Sequence, residues 1–173
     1  MRYFRPVITT RAAEERDAAA IARIYNQGIE DRIATFETEP RTAEERREVI
    51  RQSAGRYPIV VAEADGEVVA WASCSQYRPR ACYRGVAEFS VYVARSHRGR
   101  GAGRIVLASL IQQAERMGYW KLVSRVFPEN AASRGLCRAL GFREVGVYAK
   151  HAQLDGEWRD VVIVERLIEA NLG

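Results

Sequence analysis

Between Arg98 and Arg104 the chain reads Arg98-Gly99-Arg100-Gly101-Ala102-Gly103-Arg104, and shortly before it a carboxylate, Glu88, interrupts an apolar run from Val86 to Val93. Small residues let successive backbone N–H groups turn inward around an anion with no Cβ in the way. The amphipathic pattern that follows is a helix, whose N-terminus adds unpaired N–H groups and the positive end of its dipole. A strand, a glycine loop and a helix start in that order make a cradle for phosphate. A Walker loop would end in Gly-Lys-Ser/Thr, and no lysine lies near. The dinucleotide fingerprint Gly-x-Gly-x-x-Gly has a different third spacing. Arginine-glycine tracts that bind nucleic acid sit in disordered sequence rather than between a strand and a helix. On the loop alone, the competing reading is a tight turn with solvated arginines.

Glu88 also calls for a reason. Strand alternation puts Glu88, Ser90 and Tyr92 on one face and Ala87, Phe89, Val91 and Val93 on the other. A carboxylate in so apolar a strand either handles a proton or pairs with one of Arg78, Arg80 and Arg84 in the preceding loop.

The elements that must position these groups follow from pattern. Val7 to Arg11 reads as a strand. Asp17 to Arg32 reads as a helix with Ile21, Ile24, Tyr25 and Ile29 at helical spacing. Thr42 to Ser53 is a polar helix with Thr42 as N-cap and Glu45 closing a capping box. Strands Ile59 to Ala64 and Glu67 to Tyr77 are joined by Asp65-Gly66, a hairpin signal. After the strand Val86 to Val93 and the glycine loop, Leu107, Leu110, Ile111 and Ala114 form a core stripe on a helix ending at Gly118. Lys121 to Phe127 is a strand and Asn130 to Leu140 a helix closed by Gly141. Strands Phe142 to His151 and Trp158 to Leu167 flank a second Asp-Gly turn, Asp155-Gly156. The order β-α-α-β-β-β-α-β-α-β-β predicts an α/β (α+β) mixed sheet with helices on both faces, and no linker or repeat divides it.

Composition agrees with a single globular domain. The 173 residues are 47% hydrophobic and 28% charged, enough for a core. No apolar run reaches transmembrane length, and Met1-Arg2-Tyr3-Phe4-Arg5-Pro6 lacks the apolar stretch of a signal peptide. Cys74, Cys82 and Cys137 are too few and too irregular for a disulfide framework, so a cytoplasmic setting is expected. Two distant histidines, His97 and His151, argue against a metal site. The net charge of +5 and pI near 9.4 invite a nucleic-acid reading. Yet the arginines are spread along the chain, many beside acids, as in Arg41-Thr42-Ala43-Glu44-Glu45-Arg46-Arg47-Glu48, which is a solvated helix face.

The element order, with Arg98-x-x-Gly101-x-Gly103 between the fourth strand and third helix, resembles the GNAT acyl-CoA N-acetyltransferase superfamily over nearly the whole chain. A second matching block runs Asn130-Ala131-Ala132-Ser133 to Leu136 and ends Leu140-Gly141-Phe142. Within the superfamily the chain looks most similar to the phosphinothricin and arsinothricin N-acetyltransferases. The shared stretches are Ile24-Tyr25-Asn26, Thr35-Phe36-Glu37-Thr38-Glu39-Pro40, Glu88-Phe89-Ser90-Val91-Tyr92-Val93 and Trp158-Arg159-Asp160-Val161.

The resemblance implies that the phosphate is the pyrophosphate of acetyl-CoA. Backbone amides from Gly99 through Arg100, Gly101, Ala102 and Gly103 to Arg104 would hold it, with charge-assisted contacts from Arg98 and Arg104. Val91, Tyr92 and Val93 would carry the pantetheine arm, the two valines pairing their backbone with it as with another strand. Asn130 and Ser133 would reach the same arm, although Asn130 also suits a helix N-cap. Glu88 would be the general base that removes a proton from the acceptor amine, directly or through water. Many family members carry tyrosine, and phosphinothricin acetyltransferases often histidine, where Cys137 stands here; a small core cysteine is the simpler reading, so the acid stays unassigned. Arg78, Arg80, Tyr83 and Arg84 would bind acceptor oxygens, since arginine forks suit carboxylate, phosphinate or arsinate. Phe36 would form an apolar wall, and Lys150 and His151 would close the pocket, from a second subunit in a homodimer. The expected acceptor is a small amino-acid analogue. Alternatives are another amine (a polyamine, an antibiotic or a protein N-terminus) or an inactive GNAT-like module that binds nucleic acid. In the favoured reading neither nucleic acid nor membrane is a partner.

Overall fold

The computed structural model describes residues 7–173, so the reading of Met1 to Pro6 lies outside the described residues. Seven strands form one sheet: β1 (Ile8–Ala12), β2 (Ile59–Ala64), β3 (Glu67–Gln76), β4 (Val86–Val93), β5 (Lys121–Val126), β6 (Arg143–Leu154) and β7 (Glu157–Leu167). Their order across the sheet is β1-β2-β3-β4-β5-β7-β6. Neighbouring strands are antiparallel except β4 and β5, which run parallel. Four helices cover the faces: α1 (Ala18–Asp31), α2 (Ala43–Ser53), α3 (Ala102–Arg116) and α4 (Ala131–Ala139). This is the mixed α/β fold with helices on both faces.

Local chemistry accounts for the boundaries. Thr42 caps α2, its side chain accepting from the Glu45 N–H while the Glu45 carboxylate accepts from the Thr42 N–H. The turns between β2 and β3 and between β6 and β7 place Asp65, Gly66, Asp155 and Gly156 at φ between 50° and 82°, the left-handed conformations that a two-residue hairpin turn demands. β6 runs three residues beyond the expected His151, because its register with β7 shifts between Tyr148 and Ala152 around Lys150 at φ 48°. Such a bulge lets pairing resume after two extra residues on β6.

The main core lies between the sheet and α3, where Val106, Leu107 and Leu110 are fully buried against residues such as Ala72, Ala87 and Leu122. On the other face, Ile21 and Ile24 of α1 pack with Val61 and Trp71, and Tyr25, Tyr92 and Ile50 of α2 border that cluster. One end of the sheet is pinned at Gly85, where an added Cβ would fall 1.9 Å from the Trp120 ring.

Candidate active site

The site arises where the two central strands part company. β4 pairs with β5 only through Val86–Lys121, Ala87–Leu122 and Glu88–Val123. Beyond Glu88, β4 continues to Val93 beside β3 alone. The Ala94 N–H donates to the Val69 carbonyl at 2.8 Å. Because backbone groups alternate between the two edges of an antiparallel strand, those of Val93, Val91 and Phe89 turn to the open edge. A cleft of about 530 Å³ occupies the gap, lined by Phe89 to Val93 on one side and Ser124 to Phe127 on the other.

The glycine loop closes one end of this cleft. Gly99 and Gly101 adopt φ of 71° and 92°, conformations that favour glycine, and Gly101 is the residue on which α3 begins. Gly103 sits in the first turn of α3, where an added Cβ would lie 3.3 Å from Val93 Cγ2 and 3.4 Å from Leu136 Cδ2. The first N–H groups of α3 have no partner within the helix, and Arg104 stands beside them with no ion pair among the described residues. Unpaired helix-start amides, a bare glycine backbone and a cation suit a pyrophosphate. The open edge of β4 suits an extended amide-bearing arm. The residues present therefore fit acetyl-CoA.

Of the residues expected to hold that molecule, Val91, Tyr92, Val93, Arg98, Gly99, Gly101, Gly103, Arg104, Asn130 and Ser133 line the cleft, whereas Arg100 and Ala102 do not. Two are engaged elsewhere. Arg98 pairs with Asp31 at 2.7 Å and its Nε donates to the Val93 carbonyl at 3.2 Å, so that carbonyl already has a donor. Burial alone would raise the Asp31 carboxyl, but hydrogen bonds from Arg95 and Arg98 outweigh it and hold the group below the usual carboxylate range. Asn130 is an N-cap here: its Oδ1 accepts from the Ser133 N–H at 3.1 Å, and its Nδ2 donates to the Ile33 carbonyl at 3.1 Å.

Glu88 stands at the vertex, as the last residue of β4 to pair with β5. The partner of its carboxylate is Arg125 of β5, and none of Arg78, Arg80 and Arg84. One Arg125 nitrogen donates to both carboxylate oxygens at 2.8 Å. The register explains this: Arg125 is two residues beyond Val123 and so shares the sheet face of Glu88. Arg125 itself lines the cleft, and sequence reasoning missed it. The available signal was its alternation within Lys121 to Val126, which carries meaning only once the β4–β5 register is known.

The expected acceptor residues are not brought to the cleft within one chain. Arg78 lies over the Tyr77 ring at 5.3 Å and Arg84 over Trp120 at 5.6 Å. Arg80 is exposed, and Tyr83 meets Tyr77 edge-on at 5.4 Å. His151 is exposed on β6 beside Tyr148. Phe36 comes nearest: it packs edge-on at 4.8 Å against Phe127, which lines the cleft. Cys137 is buried in the main core, and burial pushes its thiol up to about 11, as befits a packing residue.

The comparisons with known proteins agree with this geometry. Residues 21–142 match the model of the acetyltransferase (GNAT) family. The chain is 36% identical over 157 residues, covering 90% of itself and 91% of the relative, to the L-methionine sulfoximine/L-methionine sulfone acetyltransferase of Pseudomonas aeruginosa. Among solved structures it is similar to a ribosomal-protein-alanine N-acetyltransferase from Brucella melitensis (34% identity, TM-score 0.89, 92% of this chain and 99% of that one). It is also similar to a phosphinothricin acetyltransferase from Sinorhizobium meliloti in complex with acetyl-CoA (30% identity, TM-score 0.84, 92% and 88%). With the split central strands, the glycine loop and a match over most of its length, the chain belongs to the GNAT acetyltransferase family, as an acetyl-CoA-dependent N-acetyltransferase.

Proposed function

We propose that this enzyme acetylates the α-amino group of a small amino-acid analogue of the phosphinothricin, arsinothricin or methionine sulfoximine type, by direct transfer in a ternary complex. The observation that carries the reading is the position of Glu88: a carboxylate held by Arg125 at the point where the cleft opens. Acetyl-CoA supplies an activated thioester. The acceptor nitrogen forms the new bond to the acetyl carbon as the carbon–sulfur bond breaks and sulfur leaves with the electron pair. Glu88 takes the proton that the amine must lose, directly or through water. Arg125 holds the carboxylate in one orientation, which matters because a base misplaced by an ångström loses much of its effect.

The acceptor class is supported by the relatives that act on methionine sulfoximine and phosphinothricin. The apolar side chains exposed on β6 and β7 (Val145, Val147, Tyr148 and Trp158) support the expected homodimer, which a single species of 19.5 kDa in sedimentation at working concentration would exclude. Three free cysteines support the expected cytoplasmic setting, which recovery of the protein with a disulfide from its native host would reject. The test of function is an acceptor screen with acetyl-CoA, following free thiol release. Turnover of phosphinothricin and methionine sulfone well above spermidine and above a peptide beginning with alanine is expected. Preference for the peptide or the polyamine would reject the acceptor class.

A further inference from the structure

A second cavity, of about 210 Å³, lies on the α1–α2 face of the sheet and shares Ser90 and Tyr92 with the acetyl-CoA cleft. Its floor includes Trp71, Ser73, Ser75, Ser90 and Tyr92, which belong to a row of cross-strand pairs on one face: Trp71 opposite Tyr92, Ser73 opposite Ser90, and Ser75 opposite Glu88, with Glu88 itself outside the lining. The row runs from an aromatic end to the base. At the aromatic end, Trp71 stacks on Tyr92 at 4.9 Å and Tyr25 meets both edge-on. Ser90 and Glu88 are about 7 Å apart along the strand at ~3.3 Å per residue, a span that a short amino-acid analogue covers.

Among the described residues, two buried donors bordering this cavity have no hydrogen-bond partner, Nε of Arg46 and Nε1 of Trp71; Trp71 is 4% exposed. Arg46 is set apart from its neighbours on α2. Arg47 pairs with Glu44, and Arg51 with Glu15, Glu44 and Glu48, whereas among the described residues Arg46 has no carboxylate partner and lies over the Tyr25 ring at 5.3 Å. Among the described residues, no acidic side chain lines the cavity. The thiol of Cys74, which does, is pushed up to about 12 by burial and so stays neutral. A buried donor left unmade costs free energy, and a half-buried guanidinium without a counter-ion favours an oxyanion.

We infer that this cavity receives the oxyanion of the acceptor, a carboxylate or a phosphinate, with Arg46 as its cationic partner, Trp71 as a second donor and the amine directed along the serine row toward Glu88. The inference rests on the acetyltransferase reading for the acceptor and adds Arg46 as the residue that sets specificity. Arginine forks form charge-assisted pairs with such groups, and the Tyr25–Trp71–Tyr92 wall accommodates a short apolar chain.

The test uses L-methionine sulfone, L-phosphinothricin and the α-carboxamide of each, with wild type, Arg46→Gln and Arg46→Lys. Losing one charge-assisted contact is worth roughly a 10- to 100-fold change, so Arg46→Gln is expected to raise KM for phosphinothricin by about that factor, and for methionine sulfone as well where the carboxylate is the bound group. kcat and the KM for acetyl-CoA should stay within about threefold, and Arg46→Lys should recover part of the loss. If the bound group is the carboxylate, each carboxamide behaves with wild type as its parent does with Arg46→Gln. If it is the phosphinate, phosphinothricin carboxamide binds normally and methionine sulfone does not depend on Arg46. Binding is read separately from turnover through the indole N–H resonance of Trp71, assigned with Trp71→Phe, which is expected to shift on titration of wild type with phosphinothricin and not of Arg46→Gln. An unmoved resonance, or a phosphinothricin KM indifferent to Arg46, overturns the inference and leaves only water at these donors. A shift that depends on Arg46 in a protein that transfers no acetyl group to these acceptors sustains the site and rejects the acceptor reading instead.

Discussion

Among the described residues the Glu88 carboxylate is held by Arg125 alone, and the pair is half-exposed, so its value to stability is small and its value to orientation is what the proposed base needs. Glu88→Gln keeps the shape and one of the two hydrogen bonds from Arg125 but cannot take a proton. The expected result is a fall in kcat of ~10²–10⁴-fold with the calorimetric affinity for acetyl-CoA unchanged; normal turnover by the variant would make Glu88 a structural residue. Glu88 stands out in the sequence because a carboxylate within Val86 to Val93 breaks an apolar pattern. Arg125 was not, because in a chain so rich in arginine nothing marks one that pairs across strands. The fork expected at Arg78, Arg80 and Arg84 illustrates the same limit: these residues follow β3 closely, yet within one chain Arg78 lies over Tyr77, Arg84 over Trp120 and Arg80 is exposed, placements that no local pattern marks.

At the scale of elements, the glycine loop separates two effects that one substitution often confuses. Gly101 has φ 92° with nothing within 4 Å of an added Cβ, so a side chain there strains the backbone without filling the cradle. Gly103 has helical backbone and faces Val93 and Leu136 across the mouth of the cleft. Gly103→Val is therefore expected to weaken acetyl-CoA binding by about 10-fold or more, since its methyls must occupy space between the two walls, while costing roughly 1–3 kcal/mol of stability from overpacking. Gly101→Ala should cost a comparable amount through strain with a smaller change in affinity. Calorimetry and denaturant unfolding on both variants check this, and equal affinities would remove the loop from the binding site. Most element boundaries were legible because their signals are local: the Thr42–Glu45 capping box, the two Asp-Gly turns and the Leu107–Ala114 stripe act within a few residues. The length of β6 was not, since a bulge at Lys150 depends on the strand that β6 pairs with.

At the scale of the molecule, the sheet order puts its one parallel pair, β4 and β5, at the centre and lets it open after three residue pairs; no local pattern encodes that opening. It requires the flanking strands to be held firmly. On the β1–β2 side this falls partly to a buried ion pair, in which Arg11 of β1 donates to both oxygens of Asp17 at 2.7 and 2.8 Å and also reaches Glu63 of β2 at 2.7 Å. Asp17 is 4% exposed. Burial by itself would raise its carboxyl; the hydrogen bonds from Arg11 and from the Glu14 N–H together outweigh burial and hold it below the usual range. A carboxyl whose folded-state pKa lies below its unfolded value binds fewer protons when folded. Its contribution to stability is therefore complete above the ordinary aspartate value of about 3.9 and drains away as the pH falls through the folded pKa. Asp17→Asn removes that contribution and leaves Glu63 as the carboxylate paired with Arg11. The variant is expected to be less stable by about 1–3 kcal/mol at pH 7, seen as a lower denaturation midpoint with an unchanged m-value, and the gap to wild type should narrow as the pH is lowered below about 4. A gap that is constant from about pH 7 to about pH 3, on either side of the ordinary aspartate value, would mean that the amide costs stability by packing alone and that the Arg11–Asp17 pair contributes no pH-dependent term.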